Sequence, residues 1–222
     1  YAAQQGRKSF AALVPDTAYG KVVEAAFQQA AANRGVRVAA IERFSSDPAA
    51  MKSAIQRLMP SLAQADALFV PAAADTMPTV GQLLQEAGYN PAKVKPLGTG
   101  VWNDASIARV PAIQGGWFAS PDTAGFNAFA GRYQQRFNSA PTRTATLAYD
   151  AVSLAAALAR TQGSQRFSEA VLTNGSGFAG ADGVFRFRPD GQVERGLAVL
   201  ELRNGQIGTI NAAPRDLGPR SQ

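Results

Sequence analysis

Three short polar stretches interrupt apolar runs in the first half of the chain: Asp16-Thr17-Ala18-Tyr19-Gly20, Ala73-Ala74-Asp75-Thr76 and Thr99-Gly100-Val101-Trp102. Hydroxyls, carboxylates and aromatic rings at such junctions suit recognition of a small molecule by hydrogen bonds and stacking. The segment opening near Tyr19 has helical spacing, so its first N–H groups and the positive end of its dipole would favour a carboxylate or another anion. Each residue has a structural alternative. Asp16 or Thr17 could cap the helix at Tyr19, Asp75 could cap a later one, and Trp102 could pack on the surface of a short helix. Gly20 fits close strand–helix packing.

Bond-making chemistry has little to work with. The chain contains neither cysteine nor histidine. Disulfides, Cys/His zinc sites, thiol nucleophiles and every Ser-His-Asp or Cys-His arrangement are therefore excluded. None of the five lysines follows a serine by three positions. Neither a cofactor nor a metal is expected. Gly175-Ser176-Gly177-Phe178-Ala179-Gly180 spells G-x-G-x-x-G, but the dinucleotide fingerprint needs a strand before it and a helix after it. Here a helical pattern precedes and the strand-like Gly183–Phe187 follows, which predicts a flexible connecting loop.

These residues need elements to position them, and those read clearly. Phe10–Val14 predicts a strand and Tyr19–Arg34 a helix closed by Gly35. Val36–Phe44 predicts a second strand, followed by a helix with Ser46 or Asp47 as N-cap and Pro48 at its start. "ADALFVPA", "VKPLGTG" and "AIQGGWFA" predict three more strands. A helix ending at Gly88 separates the first two, and a short helix from about Asp104 the last two. Strands alternating with helices at this regularity predict an α/β fold with a doubly wound, mainly parallel sheet. Ligands in such sheets bind beyond the carboxyl ends of the strands, where all three polar stretches would lie.

After Trp117 the pattern changes. One helix carries Phe126, Phe129, Tyr133 and Phe137 along a face that must be buried. The next, around Leu147–Leu158, is apolar nearly all round and is expected deep inside a domain, with Tyr149-Asp150 fixing packing or a hinge. A further helix near Phe167–Thr173 precedes three short strands joined by "PDGQ" and "RNGQ" turns, the second an Asn-Gly hairpin signal. Too few strands follow to cover those helices. Either the missing sheet comes from an upstream segment or another chain, or a compact second domain buries its own helices. The Pro/Arg-containing tail, 211–222, is expected to be flexible.

With 222 residues and 46% hydrophobic content the chain can bury a sizeable core. No apolar run approaches the ~18 residues that span a bilayer, and a leader or lipid anchor would lie upstream of Tyr1. The formal net charge is +6. Arg132, Arg136, Arg143, Arg160 and Arg166 are nevertheless interspersed with apolar and acidic residues, a dispersed pattern that argues against a nucleic-acid partner.

The ordered set "LVPDTAYG", "ADALFVPAAAD…VGQLL", "PLGTGVWND", "GGWFASPD…F…F…RY…RF…P", "AYDAVSLAAALA" and "FAGADGVFRFRPDGQVERGLAVLELRNG" resembles the type 1 periplasmic binding proteins. Within them it is similar to the branched-chain amino-acid-binding-like branch, in particular the penicillin-binding protein activator lipoproteins. The resemblance covers about Ser9–Ile210. It implies a two-lobed clamp with three hinge crossings that closes on a small ligand, amino-acid-like or peptide-like. The first lobe would be incomplete: 9–117 forms the second lobe, 118–190 returns to the first, and 191–210 crosses back. It also implies ligand contacts from Asp16, Thr17, Ala18, Tyr19, Ala74, Asp75, Thr76, Thr99 and Trp102. The location would be periplasmic or extracytoplasmic, with or without a lipid anchor. Partners would be a membrane permease or a peptidoglycan synthase, and a homodimer is open. In amino-acid-binding relatives an acidic residue near the Thr99 position pairs with the ligand's ammonium group, which a hydroxyl cannot replace. An enzyme on a doubly wound scaffold is the remote alternative. A DNA-binding regulator would need a helix-turn-helix, which these residues do not contain.

Overall fold

The computed structural model describes residues 1–218. The chain divides into two compact units, Tyr1–Ser120 with Val199–Ile210, and Pro121–Ala198 with Asn211 onward. Of the expected tail, residues 219–222 lie outside the described residues.

The first unit begins with β1 (Ser9–Pro15), α1 (Ala18–Arg34), β2 (Arg37–Phe44), α2 (Pro48–Leu62), β3 (Ala67–Phe69), α3 (Met77–Glu86), β4 (Lys95–Gly98) and β5 (Trp117–Ser120). Strand β1 pairs in parallel with β2 and β3, β3 with β4, and β4 with β5. Local chemistry fixes the boundaries. Gly35 ends α1 in the left-handed region at φ 61°. Asp47, not Ser46, caps α2 by accepting from the Ala50 N–H at 2.7 Å. Apolar residues recur at helical spacing along α2 (Met51, Ala54, Ile55, Leu58, Leu62) and α3 (Met77, Val80, Leu84) and are buried. Helix α1 buries only Gly20, Glu24 and Ala31, and its Phe27 stacks on Phe69 at 5.2 Å.

The sheet has seven strands in the order β10-β9-β5-β4-β3-β1-β2, two more than the sequence assigns to it. The additions are β9 (Ala198–Arg203) and β10 (Gln206–Asn211), joined by Asn204-Gly205 with both residues at positive φ. The Asn-Gly hairpin forms as read. Two expectations are corrected here. The fifth strand is confined to Trp117–Ser120, and two 3-10 turns, Ile107–Arg109 and Pro111–Ile113, replace the short helix from Asp104.

The second unit contains α4 (Thr123–Phe137), α5 (Ala145–Thr161), α6 (Glu169–Leu172) and an antiparallel sheet of β6 (Phe178–Gly180), β7 (Gly183–Phe187) and β8 (Val193–Arg195). The three strands read as one group are thus divided: β8 pairs with β7, whereas β9 and β10 join the larger sheet. The G-x-G-x-x-G stretch is not all loop, since its second half is β6. Its Gly180 lies against the Asp150 carboxylate, where a Cβ would come within 2.3 Å of an oxygen.

Buried charge organises this unit. Asp150 accepts from the Ala181 N–H at 2.6 Å. Asp182 accepts from Arg143 Nη1 at 3.0 and 3.1 Å and from the Thr146 hydroxyl at 2.6 Å. Arg186 pairs with Glu194 and donates to the carbonyls of Gly175 and Gly218. Asp150 therefore fixes packing, as one reading of its position had it.

The expectation that α5 lies deep inside a domain does not hold among the described residues. Leu147, Tyr149 and Val152 are exposed, Val152 by 70%, and so is Phe137 of α4. Of the α4 stripe only Phe129 is buried, in ring contact with Phe126, Tyr133 and Tyr149. The apolar faces are real, but these residues supply nothing to cover them.

Candidate ligand-binding site at the carboxyl edge of the parallel sheet

Strand β1 sits between β2 and β3, its successors in the chain on opposite sides. Right-handed crossovers then carry α1 over one face of the sheet and α2 and α3 over the other. The loops leaving β1 and β3 diverge at their carboxyl ends and open a crevice between them, the position where doubly wound sheets take ligands. Two of the three polar stretches frame this crevice, and the third leaves the adjacent β4.

The β1–α1 loop is tightly specified. The Asp16 N–H donates to the Phe44 carbonyl at 2.7 Å and the Thr17 N–H to that of Pro15 at 2.9 Å. Thr17 is the N-cap, its hydroxyl accepting from the Gly20 N–H at 3.1 Å. A Cβ on Gly20 would fall 1.7 Å from the Pro15 carbonyl oxygen, so only glycine permits this turn. The first intrahelical bond runs from the Lys21 N–H to Thr17. The N–H groups of Ala18 and Tyr19 thus precede the helical ladder at the positive end of α1.

Tyr19 is 40% exposed, and its hydroxyl lies 2.7 Å from the Thr99 hydroxyl at the end of β4. The bond joins residues 80 positions apart and spans the end of β3. Neither oxygen exhausts its hydrogen-bonding capacity in it. In the β3–α3 loop, the Ala73 carbonyl accepts from the Thr76 and Met77 N–H groups. Thr76, not Asp75, occupies the N-cap position of α3, and it makes no side-chain capping bond. Asp75 is exposed and has no side-chain partner among the described residues, which removes its capping alternative. Ala74 is half-buried beside it.

Trp102 is a correction. It is neither a wall of the crevice nor a surface residue: its exposure is 0% and its Nε1 donates to the Val70 carbonyl at 3.0 Å. Two glycines make room for the indole. A Cβ on Gly98 would lie 2.1 Å from the ring, and one on Gly116 2.9 Å from it. Trp102 therefore braces the β3 and β4 loops from beneath.

Sequence reasoning missed Asn103, whose Nδ2 donates to the buried Ser120 hydroxyl at 3.3 Å and ties the β4 loop to the end of β5. No motif signals that pair. Beside it, hydrogen bonds from Ser106 hold the Asp104 carboxyl below its usual range. The Arg43 guanidinium does the same for Glu24 on α1. The arrangement offers backbone donors, two hydroxyls, an aromatic ring and free carboxylates. It can bind, but nothing in it activates a nucleophile.

The sequence model of the periplasmic binding protein family matches residues 1–206. The chain belongs to the periplasmic binding protein family. A search of curated proteins returns no match. Among solved structures, the chain is similar to one described as a branched-chain amino acid ABC transporter from Rhodospirillum rubrum, with 20% identity and a TM-score of 0.79, covering 94% of this chain and 62% of that one. A branched-chain amino acid ABC transporter periplasmic ligand-binding protein from Burkholderia xenovorans shares 21% identity at TM-score 0.73, over 98% and 61%. An ABC transporter solute-binding protein from R. palustris, in complex with benzoate, shares 16% at TM-score 0.65, over 97% and 62%. The chain thus spans about 62% of the length of these relatives. All three are described as transporter proteins, none as a synthase activator.

Proposed function

We propose that these residues belong to an extracytoplasmic solute-binding protein that presents a small ligand to an ABC-type permease and does no covalent chemistry on it. The observation that carries this reading is the Tyr19–Thr99 hydroxyl pair, held at 2.7 Å over the crevice beside the start of α1. Asp16, Thr17, Ala18, Ala74, Asp75 and Thr76 would complete the contacts from the same edge. In this reading the first unit is the second lobe of the clamp. The second unit is the returning part of the first lobe, whose exposed helix faces are covered by sequence outside these 222 residues.

Ligand class follows from charge. A hydroxyl at Thr99 offers no compensation for a buried ammonium group, and Asp16 and Asp75 are exposed to water rather than buried at that position, whereas the N–H groups at the start of α1 favour a carboxylate. A carboxylate without an ammonium, of which benzoate on the R. palustris protein is an example, fits better than leucine, isoleucine or valine. Calorimetric titration of the intact protein with benzoate and with each of the three amino acids tests this. Binding of benzoate that weakens in Tyr19→Phe and Thr99→Val supports the reading. Micromolar binding of a branched-chain amino acid overturns the ligand class.

A second reading is a lipoprotein that activates a peptidoglycan synthase through protein contacts. It draws on the same missing carboxylate, since a clamp relieved of transport need not keep one. Failure of every small carboxylate to bind, together with retained binding to a synthase, would favour it.

A further inference from the structure

We infer that β10 is an open edge through which two copies of this chain pair, antiparallel and centred on Thr209, to form one continuous sheet. The inference stands apart from the ligand reading and rests on the sheet alone.

Strand β10 stands at one end of the order β10-β9-β5-β4-β3-β1-β2. Which of its groups face outward can be derived. The Leu202 N–H donates to the Gly116 carbonyl, and the Leu202 carbonyl accepts from the Gly115 N–H at 2.7 Å, so both backbone groups of Leu202 face away from β10. The two-residue Asn204-Gly205 turn sets Arg203 opposite Gln206 and hence Leu202 opposite Ile207. In an antiparallel pair, hydrogen-bonded and non-hydrogen-bonded positions alternate. Ile207, Thr209 and Asn211 therefore present their N–H and C=O groups to the outside.

The two edges of this sheet are built differently. Strand β2 carries Arg37, Glu42 and Arg43, with Glu42 bonded to Arg57 and Arg43 to Glu24. Charges of that kind guard an edge against pairing. Strand β10, Gln-Ile-Gly-Thr-Ile-Asn, has no charge and no proline, and five of its six residues are exposed. Proteins normally blunt such a strand.

One self-complementary register pairs all three outward residues. With a two-fold axis through Thr209, Ile207 exchanges hydrogen bonds with the partner's Asn211, Thr209 with the partner's Thr209, and Asn211 with the partner's Ile207. On the other face the space left by Gly208 receives the partner's Ile210. No like charges meet. Isologous pairing of this kind closes at two copies.

The test uses the 222-residue chain, which has no cysteine of its own. Sedimentation equilibrium should show a concentration-dependent dimer. Thr209→Lys sets two ammonium groups face to face on the axis and should weaken it by at least about tenfold. Mixing Thr209→Lys with Thr209→Glu should restore it. Thr209→Cys should cross-link on mild oxidation, since hydrogen-bonded antiparallel partners lie ~5.5 Å apart, within disulfide reach. Gln206→Cys, far from the axis, should not. A chain that stays monomeric, a dimer that Thr209→Lys leaves unchanged, or equal cross-linking at positions 206 and 209 would each overturn the inference.

Discussion

Removing the Tyr19 hydroxyl leaves its ring, its helix and the capped turn beneath it in place. The bond it makes to Thr99 is solvent-exposed, so Tyr19→Phe should change folding stability by no more than about 1 kcal/mol. The same substitution should weaken ligand binding, and a urea titration beside a binding isotherm separates the two effects. Trp102→Ala should behave in the opposite way. It empties a fully buried site and leaves the Val70 carbonyl without its donor, at a cost of about 3–5 kcal/mol. Both residues sit in polar stretches that look alike in sequence, yet only Tyr19 is exposed. The clue to Trp102 lies four residues before it. Gly98 ends β4 without a side chain and lets the indole fold back beneath the loop. A single sequence shows that a glycine is present but not which ring fills its place.

At the scale of elements, the strand–helix junctions carry both stability and pH dependence. Gly20→Ala should be among the costliest substitutions of a small residue, because its Cβ would overlap the Pro15 carbonyl and displace α1 from β1. We expect a loss of about 3 kcal/mol or more, read as a shifted denaturation midpoint. Asp66 closes the start of β1 from the other end, accepting from the N–H groups of Lys8 and Ser9 at 2.8 and 3.0 Å. Those bonds hold its carboxyl below the usual range. A carboxyl depressed on folding stabilises the protein above its unfolded pKa, and that contribution is lost as pH falls through the folded value. Glu24 and Asp104 have the same sign, so the first unit should lose stability on acidification below about pH 4. Asp66→Asn should make that decline shallower while lowering stability near neutrality by about 1 kcal/mol. Thermal melts across an acid series check both expectations. These junctions were largely legible beforehand. Gly35, Asp47 and Asn204-Gly205 act where their residue types place them, because a cap or a two-residue turn is decided by neighbours in sequence. The pairing of β9 with β5 was not legible, because it depends on a contact between residues nearly ninety positions apart.

At the scale of the whole molecule, the second unit holds together through paired buried charges and a small ring cluster while leaving apolar helix faces open. Helix α5 was expected in a deep interior because a segment apolar on every side is normally packed on every side. Leu147, Tyr149 and Val152 are instead exposed, as are Phe137 and Phe167. The sequence reported the hydrophobicity of that surface faithfully but could not report what covers it. A side chain of this size contributes roughly 1.5–3 kcal/mol when buried, so several left open forgo a large share of a domain's net stability. The 222-residue chain should therefore bind an environment-sensitive hydrophobic dye under native conditions. Leu147→Gln and Val152→Gln together should lower the dye signal while leaving the circular dichroism unchanged, because neither side chain is buried in this chain. Thr209→Lys should not alter the dye signal, since Thr209 belongs to the other unit. Supplying a segment that covers these faces should quench the dye and raise the melting temperature of the second unit. A chain that binds no dye, or one whose signal survives the paired glutamines, would mean that α5 offers no open apolar face.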